Sequence, residues 1–308
     1  MTNSTNTETQ SATSQFSTTP RPQDDLYLAT NGGWISNHVI PADRPIDGAF
    51  YKLRDEAEEN VRELITTAAD ADPNSRVARL YNSFMDEAAI NNAGAAPLAQ
   101  DLEMIASAEN AHELALALGH LDRLGVGGAL GYWVEKDSGS DLDTLYLLQS
   151  GLGLPDEAYY REPGHADTLA AYEQHVAAML KLLSSHDDGT GDLSTALAAF
   201  ELVDTAAAAA RIVAFEKRIA AGHWNVVDTR DALKTYNKTA IADLPTGFPV
   251  AEWLAATGVN ETNQTAIDTI VVMMPSYFEH LSKLWQDTDL ADLRLWALWR
   301  VLHQRAAY

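Results

Sequence analysis

From Phe50 to Ala68 the apolar residues of this chain fall at Phe50, Leu53, Ala57, Val61, Leu64 and Ala68, in steps of 3, 4, 4, 3 and 4. That spacing lays one stripe along an α-helix and none along a strand. The pattern recurs. Val77, Leu80, Tyr81, Phe84 and Met85 form a second stripe, with Asp72 as its expected cap and Pro73 at its first helical position. A shorter helix runs from about Pro97 through Leu98, Leu102 and Ile105. Asn110 and Glu113 form a capping box for a helix that ends at Leu124, before Gly125. Helices are expected at about 167–184 and 192–221, the second Ala-rich and stopped by Gly222. Pro275 and Asp289 start two more, the last carrying Leu290, Leu293, Leu295, Trp296, Leu298, Trp299 and Leu302 as core. Segments 131–134 and 144–148 flank the polar turn 137–141 and predict a hairpin. Asn31-Gly32-Gly33-Trp34 reads as a turn with a buried aromatic anchor, Ile40-Pro41 as extended, and 151–155 and 228–249 as loops. The expected fold class is mainly α: multi-helical, with a small β-hairpin.

Charge narrows the partners. In 308 residues, 44 acidic groups face 21 basic ones, a formal net charge of −23. Such a chain repels phosphate backbones and anionic lipid surfaces, so neither nucleic acid nor a membrane is an expected partner. The absence of cysteine removes disulfides, thiolate zinc sites, iron–sulfur clusters and thiol catalysis. The apolar stretch 196–221 is broken by Glu201, Asp204, Arg211 and Glu216, too many charges for a membrane span. Residues 1–21 are expected to be a disordered leader. They are rich in Ser and Thr, and the first twenty hold no Lys or Arg, as a signal peptide would require. Residues 22–308 are expected to fold, in the cytoplasm.

No catalytic or metal-ligating residue stands out. The nine histidines include no i, i+4 pair. His112-Glu113 is the single His-Glu step, and Leu116 occupies the place where H-E-x-x-H needs its second histidine. Each histidine reads as a surface or structural residue, with His223 placed to complement a helix C-terminus when charged. Glu56, Glu58, Glu59 and Glu63 read as a solvated helix face. No G-x-S-x-G, phosphate-binding or dinucleotide-binding loop is present.

Four stretches carry a resemblance. The first comprises Asp24-Asp25-Leu26-Tyr27, Asn31-Gly32-Gly33-Trp34, Ile40-Pro41, Gly48-Ala49-Phe50 and Leu53-Arg54-Asp55. Then come Gly151-Leu152-Gly153-Leu154-Pro155 with Tyr159-Tyr160, next Tyr236-Asn237, and last Pro275-Ser276-Tyr277-Phe278. In order and rough spacing, from about residue 22 to the last, they resemble the N-terminal half of the neprilysin-type zinc metallopeptidases, bacterial oligopeptidases included. The resemblance implies a helical cap domain plus initial segments that pack on a catalytic domain. That family's zinc site lies in its C-terminal half, in H-E-x-x-H and a later E-x-x-x-D, where two histidines one helical turn apart bind the metal and the glutamate acts as base. The implied catalytic half lies beyond the last residue here, so this chain is expected to hold no cofactor and to be inactive alone, with zinc belonging to the complete enzyme. The implied partners are that catalytic domain and a peptide substrate.

Arg54 matches a family arginine near the substrate region. Where some members have a second arginine eight residues earlier, this chain has Ile46, with Arg44 two residues away. Arg44 and Arg54 are therefore the substrate-binding candidates, since a guanidinium clamps a carboxylate bidentately; the other reading of both is ion pairing. The implied function is the non-catalytic, substrate-restricting portion of a zinc metalloendopeptidase. The alternative is a stand-alone helical module for protein or peptide binding. An enzyme with an unrecognised site would need a deep pocket holding titratable groups with shifted pKa values.

Overall fold

A computed structural model describes residues 20–187, 189–259 and 268–306. Residues 1–19 of the expected leader lie outside the described residues. The chain divides into two units, Met1–Asp86 and Glu87–Tyr308.

Among its described residues the first unit has three helices, α1 (Leu26–Asn37), α2 (Ala49–Ala71) and α3 (Arg76–Met85). Asn31, Gly32, Gly33 and Trp34 lie inside α1 and form no turn. Asp25 caps this helix by accepting from the Leu28 amide. Polar side chains one turn on then cover its carbonyls: Asn31 donates to Tyr27 O, Ser36 to Gly32 O and Asn37 to Gly33 O. The helix continues through two glycines of low helix propensity, with these side chains bonded back to its own carbonyls. Trp34 is partly exposed and stacks on His38 at 4.2 Å, so it is no buried anchor. The stripe beginning at Phe50 lies on α2 as its spacing requires. Asp72, however, closes α2: its amide reaches Ala68 O, and its carboxylate accepts from the Asn74 amide across a tight turn. Ser75 caps α3 instead, accepting from Ala78 N.

The second unit runs through α4 (Glu87–Ala93), α5 (Ala99–Ala106), α6 (Ala111–Arg123), β1 (Leu130–Lys136), β2 (Asp143–Gln149), α7 (Ala158–Arg161), α8 (Ala166–Ser185), α9 (Gly191–Leu197) and α10 (Thr205–Gly222). It ends with β3 (Asn237–Ala240), α11 (Val250–Thr257), β4 (Thr269–Val272), α12 (Pro275–Gln286) and α13 (Leu290–Arg305). The capping box forms with a shift. Asn110 accepts from Glu113 N, while Glu113 reaches back to the Glu109 amide and the Asn110 side chain. The long Ala-rich helix is two helices. Glu201 sits in the left-handed region at φ 51°, and Asp204 starts α10 afresh by accepting from Ala206 and Ala207.

The expected hairpin is half of a four-stranded sheet in the order β1-β2-β4-β3. β1–β2 and β3–β4 are antiparallel; β2 and β4 are parallel, Tyr146 against Val271. Around the sheet, α13 supplies the centre of the core with Trp296, Leu298 and Trp299, all fully buried. Trp296 meets Phe215 and Trp285 edge to face, and Trp285 meets Phe248 likewise. Gly119 lets α6 close on α11: a β-carbon there would stand 2.6 Å from the Trp253 carbonyl.

Candidate functional site

The loop Gly151-Leu152-Gly153-Leu154-Pro155 is held from three sides by buried polar groups. Glu216, on α10, is fully buried. Its Oε2 accepts from Tyr160 Oη at 2.7 Å and its Oε1 from Tyr172 Oη at 3.1 Å. Tyr160 Oη in turn accepts the Gly153 and Leu154 amides at 3.1 and 3.0 Å, and Tyr172 Oη accepts Trp299 Nε1 at 2.7 Å. Arg300 spans the far side, donating to Gly127 O and Leu152 O, both at 3.0 Å. Burial pushes the Glu216 carboxyl up, against the two phenols and the Arg300 charge that favour its ionised form. Burial and the nearby Glu216 charge both hold the two tyrosines well above the ordinary phenol range. Both carboxylate oxygens of Glu216 are taken and the group is sealed from solvent. The arrangement fixes a loop and offers no acid or base to a substrate.

Gly151 takes φ 103°, a value that suits glycine, and its carbonyl accepts from Trp296 Nε1 at 3.3 Å. Below the loop, Tyr277 Oη contacts Ala129 O at 2.7 Å and Ser150 O at 3.1 Å, and Arg161 donates to Ala220 O in the last turn of α10 and to His223 O just beyond it. His223 itself caps α10 in a buried position, its Nε2 against Ser150 O. Burial pushes its pKa down to about 4. At neutral pH it is uncharged, so the expected charge–dipole contact at this helix end gives way to a hydrogen bond. Tyr236-Asn237 also serves the framework. Tyr236 Oη donates to Asp137 at 2.5 Å beside Lys238 Nζ, and Asn237 donates to Val272 O.

The two candidate arginines lie in the first unit, around one ring. Arg44 Nη1 meets Asp55 Oδ2 at 2.9 Å and stands 3.7 Å from Asp47. Arg54 reaches Asp55 at 3.5 Å and Glu58 at 3.4 Å. The centre of the Tyr51 ring is 5.9 Å from the guanidinium carbon of Arg44 and 4.8 Å from that of Arg54. Asp47 also accepts the Gly48 amide and the His38 ring at 2.7 Å, which together hold its carboxyl below the usual range. Arg44 is mostly covered, whereas about half of the Arg54 side chain is open to solvent. The sequence reading singled out both arginines but not the Tyr160–Glu216–Tyr172 lock. A signal existed: Ile212, Glu216 and Ile219 step by 4 and 3, which puts the glutamate on the core face of α10.

The sequence model of peptidase family M13 matches residues 22–308. The chain belongs to this family. Among M13 relatives, the endothelin-converting enzyme 1 of Cavia porcellus is 25% identical, over 97% of this chain and 40% of that protein. Human neprilysin is 24% identical, over 92% of this chain and 40% of its own length. The crystal structure of Mycobacterium tuberculosis zinc metalloprotease Zmp1 with an inhibitor superposes with a TM-score of 0.81 at 41% identity, covering 95% of this chain and 43% of Zmp1. The chain thus spans about two-fifths of the length of these relatives and corresponds to the N-terminal region of M13 peptidases. Among the described residues no three His, Asp or Glu side chains converge, and H-E-x-x-H occurs nowhere in the 308 residues.

Proposed function

We propose that this chain is the non-catalytic portion of a zinc-dependent endopeptidase, the part that restricts access of substrates to a separate catalytic part. The carrying observation is the uncovered stripe of the first unit. Phe50, Leu64 and Leu80 are 87%, 69% and 74% exposed, and the buried apolar residues of that unit, among those described, are Ala29, Ala69 and Ala78. Covering a large apolar side chain stabilises an assembly by about 1.5–3 kcal/mol, and uncovered stripes of this kind mark contact surfaces. The occupant in this reading is the catalytic part that M13 relatives carry in the remaining three-fifths of their length. The second unit, stiffened by the Glu216 lock, acts as the wall that admits peptides and small proteins. Of the two arginines, Arg54, with about half of its side chain open to solvent, is the one offered to the carboxylate of a peptide, while Arg44 holds Asp55 and Tyr51 in place beside it.

The test is reconstitution. This chain, mixed with the separately produced catalytic portion of Zmp1, should form a one-to-one complex by light scattering and restore zinc-dependent peptide cleavage. Replacing both Phe50 and Leu64 by Ser should weaken the complex without unfolding the second unit. Peptide turnover by the purified chain alone would overturn the reading. So would a monodisperse monomer with no affinity for the catalytic portion, the behaviour of a stand-alone module.

A further inference from the structure

β1 is an outer strand of the sheet, and the parity of its ladder shows which backbone groups face outward. Asp137 N donates to Leu142 O at 2.9 Å and Ser150 N to Ala129 O at 3.2 Å. In this antiparallel register the odd-numbered residues of β1 exchange bonds with β2, and Tyr132 and Val134 turn their N–H and C=O away from it. The same parity holds on the far side of β2, where Leu147 O accepts from Met273 N. Among the described residues, no group takes up the outward N–H or C=O of Tyr132 or Val134.

The edge is rigid and charged. Tyr132 packs edge-on against Trp253, and Trp133 stacks on Tyr146 at 5.6 Å. The hairpin tip is latched by Asp137 to Ser140, Tyr236 and Lys238. Val134 is 59% exposed at the free edge. Residues 130–149 carry Glu135, Asp137, Asp141 and Asp143 against one cation, Lys136, which is tied to Asp141 and stands opposite Asp143 in the ladder; with Lys238 on Asp137 the hairpin keeps an acidic excess, and Glu135, which accepts from Trp133 Nε1, meets no cation among the described residues.

We propose that the free edge of β1 docks an extended, basic peptide segment, which adds to the sheet as a further strand bonded to the backbone of Tyr132 and Val134. A strand is the ligand whose alternating donors and acceptors match this edge, and the acidic rim selects cationic side chains. The rim also selects against a second copy of the chain, which would set like charges opposite one another. The inference is independent of the docking reading above, because the edge belongs to the second unit and needs no catalytic part.

The experiment uses the full chain labelled with nitrogen-15, at low salt. The probes are a short peptide of alternating Lys and Val and its two N-methylated forms, each blocked along one edge. The unmodified peptide should shift the Tyr132 and Val134 amides and protect them from exchange, with affinity falling as salt is added. One N-methylated form should lose roughly tenfold in affinity while the other retains binding. Val134→Pro, which removes an outward N–H that the β1–β2 ladder does not use, should lose binding at unchanged circular dichroism. If that variant fails to fold, the two N-methylated peptides on the unaltered chain still decide. Equal binding by both N-methylated forms, protection confined to other residues, or no binding at millimolar peptide overturns the proposal. So does protection of the two amides that rises with protein concentration in the absence of peptide, the signature of a second copy.

Discussion

Tyr160 places its hydroxyl 2.7 Å from Glu216, 56 residues away in sequence, and through the same oxygen accepts the amides of Gly153 and Leu154. One side chain therefore satisfies two backbone donors of the loop and one oxygen of a buried carboxylate. Tyr160→Phe strips the Leu154 amide and one Glu216 oxygen of this partner and leaves the Gly153 amide with the Glu216 carboxylate alone. A loss of about 3 kcal/mol in urea unfolding is expected, together with faster hydrogen exchange at Gly153 and Leu154.

Gly153 is the tightest point of the loop. A β-carbon there would lie 1.9 Å from Tyr172 Oη, an atom already fixed by Glu216 and Trp299. Gly153→Ala should lower stability by about 3 kcal/mol or more, seen as a lower thermal midpoint. Gly164→Ala, with nothing within 4 Å of its added methyl, is the matched control and should change little.

His223 makes the protein sensitive to acid. Its pKa, pushed down to about 4 by burial, lies below that of the unfolded chain. The unfolded state then binds the extra proton between about pH 6.5 and 4, so the stability due to neutral His223 is present above that window and lost on descending through it, by up to about 3 kcal/mol. His223→Gln should flatten this limb of a plot of thermal midpoint against pH.

Asp122 works in the opposite sense. Burial pushes its pKa up to about 6, only partly countered by the Gly128 amide and Arg300. The folded state holds that proton more tightly than the unfolded one, so the Asp122 contribution is favourable below about pH 4 and declines until about pH 6. Asp122→Asn should raise the thermal midpoint at pH 7.5 and leave it nearly unchanged at pH 4. A lower midpoint at pH 7.5 would show that the charged form is compensated by Arg300.

Helix positions were largely legible because an apolar period of 3.6 is a local signal, and α2, α6, α8, α12 and α13 follow it. The misses have physical causes. α1 runs through a glycine pair that propensity would break, capped by Asp25 ahead of it. One left-handed residue, Glu201, cut an Ala-rich run whose composition is uniformly helical. β3 and β4, four residues each, are strands by virtue of their pairing partners and carry too little alternation of their own. For the candidate site, Arg44 and Arg54 were visible as residue types, but not their shared contact with Tyr51 and Asp55. The Glu216 lock was overlooked because a glutamate in a helix is usually exposed; its place between Ile212 and Ile219 marks the core face, but its partners, Tyr160 and Tyr172, come from α7 and α8 and are not local in sequence.

The latch between Asp137 and Lys238 joins groups 101 residues apart, and β2 gains its second neighbour only when β4 exists. During synthesis the β1–β2 ribbon therefore leaves the ribosome as a two-stranded sheet with α5 and α6 to pack on, and more than a third of the chain must follow before the sheet is complete. The sheet is thus a late-closing seam. In the interval before Val271 and Lys238 emerge, the far edge of β2 stands without its strand partner and the hairpin tip without its latch.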